Sequence, residues 1–177
     1  MGLYLYRLMG AATLDGGMYE GIEADRGTTM QAAATVVLAS VAAGIGAGGW
    51  YGVHPATLAA VGVVACALWV VWGVLIFHVG VHVLPSSVTS VTLGELLRTT
   101  GFAAAPGGLL VFAIVPGLSA IVFTVAGLWM LATAVVAVEH ALDYPTPWRA
   151  MAVCLVAGSI VLALAAILGI VWAPSVA

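Results

Sequence analysis

Four arginines, seven carboxylates and four histidines are the side chains in this sequence that could do acid–base or ligand chemistry. His78 and His82 stand four apart, which puts both imidazoles on one side of a helix. Such a pair can hold a metal, or let one ring ligate haem or a chlorophyll-type pigment. The competing reading places both at the end of an overlong helix, among headgroups, with no carboxylate or cysteine near in sequence to complete a site. Glu139 and His140 close a later apolar run, with Asp143 and Arg149 close by. An ionisable group inside a membrane marks a functional site by default. These two fall at the edge of a span, where water or headgroups satisfy them, and a cationic His140 suits a helix C-terminus. Glu95 and Arg98 are three apart, a spacing that allows pairing on a helix, and they precede Pro106. They read either as a lipid-phosphate contact or gate at a broken helix, or as an ordinary anchor at the membrane face.

Nothing else resembles a reactive set. The sequence holds no Gly-x-Ser-x-Gly, no phosphate-binding glycine loop with its lysine, no His-Glu-x-x-His, and no carboxylate pair within an apolar run. Cys66 and Cys154 both lie in apolar stretches and read as small hydrophobes. A non-enzymatic role is therefore expected, with no metal. No cofactor is required either, although bound lipid, quinone or pigment would suit so apolar a chain. There is no basic run, which argues against nucleic acid as a partner.

The elements that must position these residues follow from composition. Of 177 residues, 64% are hydrophobic and only 6% charged, with a mean hydropathy of +1.22. A soluble domain is about a quarter charged, so most of this surface must meet lipid. Residues 1–27 read as an amphipathic arm of two short helices on the membrane surface, the second capped by Asp15. Residues 28–177 read as one all-α, polytopic membrane bundle of about five helices, near 28–49, 56–83, 101–115, 118–138 and 150–172. Thr28 and Gln31 suggest a capping box at the start of the first. The Ala, Gly and Ser content of that helix suits close packing in lipid. The second would be about 42 Å long, more than the ~30 Å hydrocarbon core, and must tilt or protrude. The third, taken alone, covers only about 23 Å. It must either continue from Leu93 with a break at Pro106 or thin the bilayer.

Charge gives the sidedness. With five crossings, Arg7, Arg26, Arg98 and Arg149 and every carboxylate fall on one side. The positive-inside rule makes that side cytoplasmic, with the N-terminus inside and the C-terminus outside.

Two stretches carry a resemblance. One is Met18-Tyr19-Glu20-Gly21-Ile22-Glu23-Ala24-Asp25-Arg26, leading into the first apolar helix. The other runs from Thr92 to Gly107 and contains Leu97-Arg98, then Gly101-Phe102-Ala103, then Ala105-Pro106-Gly107. With Val79-Gly80 and Trp129, they resemble the bacterial members of the Yip1-domain family, over residues 4 to about 170. The resemblance implies five membrane helices, a cytoplasmic N-terminus and a bacterial cytoplasmic membrane. Eukaryotic members of that family bind small Rab-type GTPases. That property is not transferred here, because their Asp-Leu-Tyr-Gly-Pro type motif is absent. The expected function is an accessory or scaffolding subunit that meets lipids and larger integral membrane proteins. Two alternatives stand beside it: a small transporter or channel built on the broken third helix, or a pigment- or quinone-contacting subunit of an energy-converting complex.

The topology is testable directly. A reporter active only outside the cell, fused after Ala177, is expected to be active. A silent C-terminal fusion beside an active N-terminal one reverses the sidedness.

Overall fold

The computed structural model describes residues 2–48, 54–85 and 91–172. The glycine–aromatic turn at 49–53, the serine-rich stretch at 86–90 and the residues at 173–177 lie outside the described residues. Among those described, the chain is helical throughout, with no strand. Two short helices open it, α1 (Gly2–Ala12) and α2 (Gly16–Ala24), followed by a 3₁₀ turn at Arg26–Thr28. Helix α3 (Thr29–Gly48) and helix α4 (Pro55–His78) come next, the latter continuing into a π-helical turn at Val79–Val83. Helix α5 (Leu93–Phe102) passes into a 3₁₀ segment, Ala105–Ile114. Helices α6 (Ser119–Ala141) and α7 (Pro147–Trp172) complete the order. Five stretches are long and apolar enough to cross a membrane: Arg26–Ala47, Leu58–Val83, Leu93–Ile114, Ser119–Ala141 and Pro147–Leu164.

The third span departs most from the sequence-based boundaries. It starts at Leu93, not 101, and its second half winds as a 3₁₀ helix. That coil rises about 2 Å per residue against about 1.5 Å for an α-helix, so Leu93–Ile114 covers roughly 35 Å. The stretch crosses because it continues from Leu93, its 22 residues reaching about 33 Å even as a plain α-helix, and local thinning of the bilayer is not needed. Pro106 sits at the start of the 3₁₀ segment, where its missing N–H costs nothing. The segment ends in a tight turn. Leu118 N–H donates to the Val115 carbonyl at 3.1 Å, with Pro116 and Gly117 between them. Gly117 has φ +83°, the left-handed value that a type II turn requires at its third position.

This span is also the centre of the bundle. It buries 56% of its apolar window, against 18–33% for the other four. Phe102 and Ala103 pack with Ala32, Ala134, Ala137, Tyr19 and Ile22. Farther along, Leu110 packs with Ala42 and Ala126. Small residues make the approach possible. A Cβ on Gly107 would lie 2.7 Å from Ala39 Cβ, and one on Gly46 would collide with the Leu110 carbonyl oxygen.

The capping box expected at Thr28 is not formed. Thr28 is buried, and its hydroxyl donates backward to the carbonyls of Ile22 (3.0 Å) and Asp25 (2.7 Å). Gln31 instead accepts from Arg7 Nη1 at 3.3 Å. A capping box does form at Thr92. Glu95 N–H donates to Thr92 Oγ1 (3.3 Å), and Thr92 N–H donates to Glu95 Oε2 (2.6 Å).

The α3–3₁₀ contact gives a measurement. Gly46→Ala is expected to cost about 1–3 kcal/mol through overpacking against fixed backbone, seen as a lower thermal midpoint in detergent. Gly108→Ala, where a Cβ would meet nothing within 4 Å, should leave the midpoint in place.

Candidate functional site

Most of the charged side chains converge where the N-terminal arm meets the starts and ends of the spans. Asp15 caps α2 as expected, accepting from Met18 N–H at 3.3 Å. Tyr19 and Ile22 on the inner face of α2 are fully buried, so the arm is packed onto the bundle. Glu23 lies near the C-terminus of α2, where carbonyls lack helical partners. Arg98 supplies the missing donors. Its side chain is 8% exposed, its Nε donates to the Glu23 carbonyl at 3.1 Å, and its Nη2 donates to the same oxygen. A cation at the negative end of a helix is favourable, the more so out of water.

Glu95, the partner expected for Arg98, lies 4.0 Å from Nη2. The capping box explains the distance, because the carboxylate is already bonded to Thr92 N–H. The side chain of Glu23 stands in a strongly negative environment. Burial, then the charges of Glu95, Asp143 and Glu20, push its carboxyl up to about 7, against the pull of Arg98.

The rest of the arm is clasped in the same way. Arg7 Nη2 meets Asp25 Oδ2 at 2.7 Å. That bond, then the Gly27 N–H at 2.8 Å, holds Asp25 below the usual carboxylate range. His140 Nδ1 lies 3.5 Å from Glu20 Oε1, and its ring packs so closely on Gly16 that a Cβ there would collide. Trp129 Nε1 donates to the Ala12 carbonyl at 2.7 Å, closing the C-terminus of α1 from a span. Thr133 donates to the Ala103 carbonyl at 2.7 Å, at the junction of α5 with the 3₁₀ segment. Sequence reasoning missed both of these roles. The only available signal was a Trp and a Thr one turn apart in an otherwise apolar run.

The other candidate residues are not gathered here. His78 and His82 do share a face, with rings stacked at 4.6 Å, and His82 Nδ1 is 3.2 Å from the His78 carbonyl. Both are exposed, at the π-helical turn. Among the described residues, no three metal-binding side chains come together. The buried side of that turn is held by Tyr144, whose hydroxyl donates to the carbonyls of Gly80 (3.3 Å) and Leu84 (2.9 Å). Glu139 is half-buried near the end of α6, and Arg149 is exposed on the first turn of α7. Pro106 is buried at the 3₁₀ junction, away from Glu95 in sequence and in the span.

Beside that junction lies an apolar cleft of about 430 Å³, between α3, α4, the third span and α6. Trp69, Trp72, Ser40, Thr100, Leu110 and Met130 are among its lining residues. Its hydroxyls are already committed. Ser40 donates to the Val36 carbonyl at 2.7 Å, and Thr100 donates to the Leu96 carbonyl at 2.7 Å while accepting from Trp69 Nε1 at 3.2 Å. The cleft therefore offers surface and shape more than hydrogen bonds.

The fold defines an all-α polytopic membrane bundle with five membrane-length helices. No family model, curated protein or solved structure matches the chain.

The burial of the Glu23 carboxyl among other acidic groups predicts a pH response. A carboxyl raised from 4.5 to about 7 favours the folded state while it is protonated there, so the stability Glu23 contributes is full below about pH 4.5 and is lost as pH rises through about 7. The thermal midpoint should drop between about pH 5 and about pH 8, and Glu23→Gln should flatten most of that slope. Arg98→Gln should lower the midpoint across the range, through a loss of about 1.5–3 kcal/mol of stability for the charged hydrogen bonds. An unchanged slope in Glu23→Gln would refute the assignment.

Proposed function

We propose that the protein is a non-enzymatic component of a bacterial cytoplasmic membrane, an accessory or scaffolding subunit that packs against larger membrane proteins or organises the bilayer. The observation that carries this reading is the uneven burial of the spans. One helix is central, while the other four leave about two-thirds or more of their apolar windows uncovered. A 177-residue bundle with so much lateral surface, and with its polar side chains spent on holding its own arm, is equipped for association within the membrane. The Yip1-like stretches agree with this reading. They contain Glu23, Arg98 and Phe102, the residues that dock the arm.

The transporter reading draws on the broken third span, since interrupted helices line many binding sites. Here the 3₁₀ segment is packed against Ala39 and Met130 through Gly107, which suits a packing device better than a solute gate. The exposed His78–His82 pair and the aromatic cleft are the basis for a pigment- or quinone-contacting subunit.

The size of the complex decides between these. After gentle extraction from the native membrane, the protein is expected to migrate with larger partners. A stable lone monomer would sink the subunit form of the proposal, and solute flux across proteoliposomes would favour the transporter.

A further inference from the structure

Helix α1 is apolar on two sides. Tyr4, Leu8 and Ala11 pack inward with the cluster that contains Phe102, while Leu3, Leu5, Tyr6 and Met9 each remain more than half exposed. Arg7 is the one charged residue of α1, and it is turned toward Asp25 and Gln31. The outward face therefore carries no charge. An uncharged outward face of four large apolar side chains belongs against protein or lipid, not in water.

Three contacts give its depth. Tyr4 OH bonds Thr35 Oγ1 at 3.0 Å, and Thr35 is nine residues beyond Arg26, where the first span begins. The Tyr4 ring meets Phe102 edge-on at 6.0 Å, and Phe102 is nine residues beyond Leu93, where the third begins. At the other end of α1, Ala12 is bonded by Trp129, twelve residues before Ala141, where the fourth ends. At about 1.5 Å per residue these partner positions stand roughly 14, 14 and 18 Å along three different spans from their charged ends. Helix α1 itself lies nearer those ends, since the Tyr4 and Trp129 side chains bridge the gap and Arg7 reaches Asp25. Helix α1 is thus a bar lying across the bundle at nearly constant depth. Helix α2 lies nearer the span ends, with Glu20 and Glu23 beside His140 and Arg98.

We infer that α1 is embedded in the acyl region of the leaflet on the arginine-bearing side, its outward face in contact with lipid tails. Arg7 reaches back along the bundle to Asp25 as a snorkelling side chain does. An in-plane helix in one leaflet displaces lipid from that leaflet alone. This deepens the bilayer-organising form of the proposed function, and insertion depth is read without any partner, so the two can fail separately.

The test is spin-label accessibility in phosphatidylglycerol/phosphatidylethanolamine vesicles, in a Cys66→Ala, Cys154→Ala background. Labels go at Leu5→Cys and Met9→Cys on α1, and at Gly21→Cys on α2, an exposed site where a side chain meets nothing within 4 Å. The oxygen-to-nickel-chelate accessibility ratio is expected to be several-fold higher at Leu5→Cys and Met9→Cys than at Gly21→Cys. Equal ratios at all three would overturn the proposal by placing α1 in water. Low accessibility to both reagents on α1 would overturn it by showing a protein cover. A thermal midpoint matching the unlabelled protein confirms that each variant is folded.

Discussion

A buried guanidinium has to find acceptors, and in this protein that requirement fixes how the N-terminal arm meets the membrane bundle. Arg98 lies within the third span and is almost wholly covered. Its donors go to the Glu23 carbonyl, at the end of α2 where the helix has no acceptor-satisfying turn left. Either group left alone would carry a desolvation cost of about 1–3 kcal/mol, more for the charge. Together they satisfy one another. With α2 fixed at this point, Tyr19 and Ile22 close over the bundle, Gly16 meets His140, and α1 is led back across the spans.

The same span carries the second constraint. Ten residues of 3₁₀ helix are more than that coil usually sustains, because its hydrogen bonds are less well aligned. Surrounding packing makes the geometry tolerable here. Gly107 rests on Ala39, Gly46 on the Leu110 carbonyl, and Thr133 supplies a hydroxyl donor to Ala103, just where the helix changes pitch. The tighter coil adds only about 5 Å to a 22-residue span that is already long enough to cross the bilayer. A helix that is irregular, central and most deeply buried is one whose neighbours determine its shape.

Several features of the fold could be read from residues alone. Length and hydropathy of the apolar runs set the spans, because lipid leaves backbone groups no partner but their own helix. Asp15 as a cap was legible too, since it acts within four residues. The capping box was misplaced for a related reason. Thr28 and Thr92 look alike locally, but Thr28 is drawn to the carbonyls of Ile22 and Asp25 once α2 is docked. Glu95 and Arg98 were recognised as a pair on one helix, while the stronger partner of Arg98, the Glu23 carbonyl, is 75 residues away and carries no side-chain signature. Trp129 and Thr133 were invisible as anchors because their acceptors are also backbone carbonyls.

What the sequence determined by itself was the kind of protein: an all-helical bundle with five membrane-length helices and its charge gathered at one end. These are consequences of local composition and of how lipid treats a polar backbone. Tertiary structure alone decided which helix is central, how the third span completes its crossing, and that α1 lies across the spans with Arg7 turned inward. Those outcomes depend on contacts between residues far apart in the chain, where the satisfaction of a buried charge or carbonyl cannot be seen until the helices are packed.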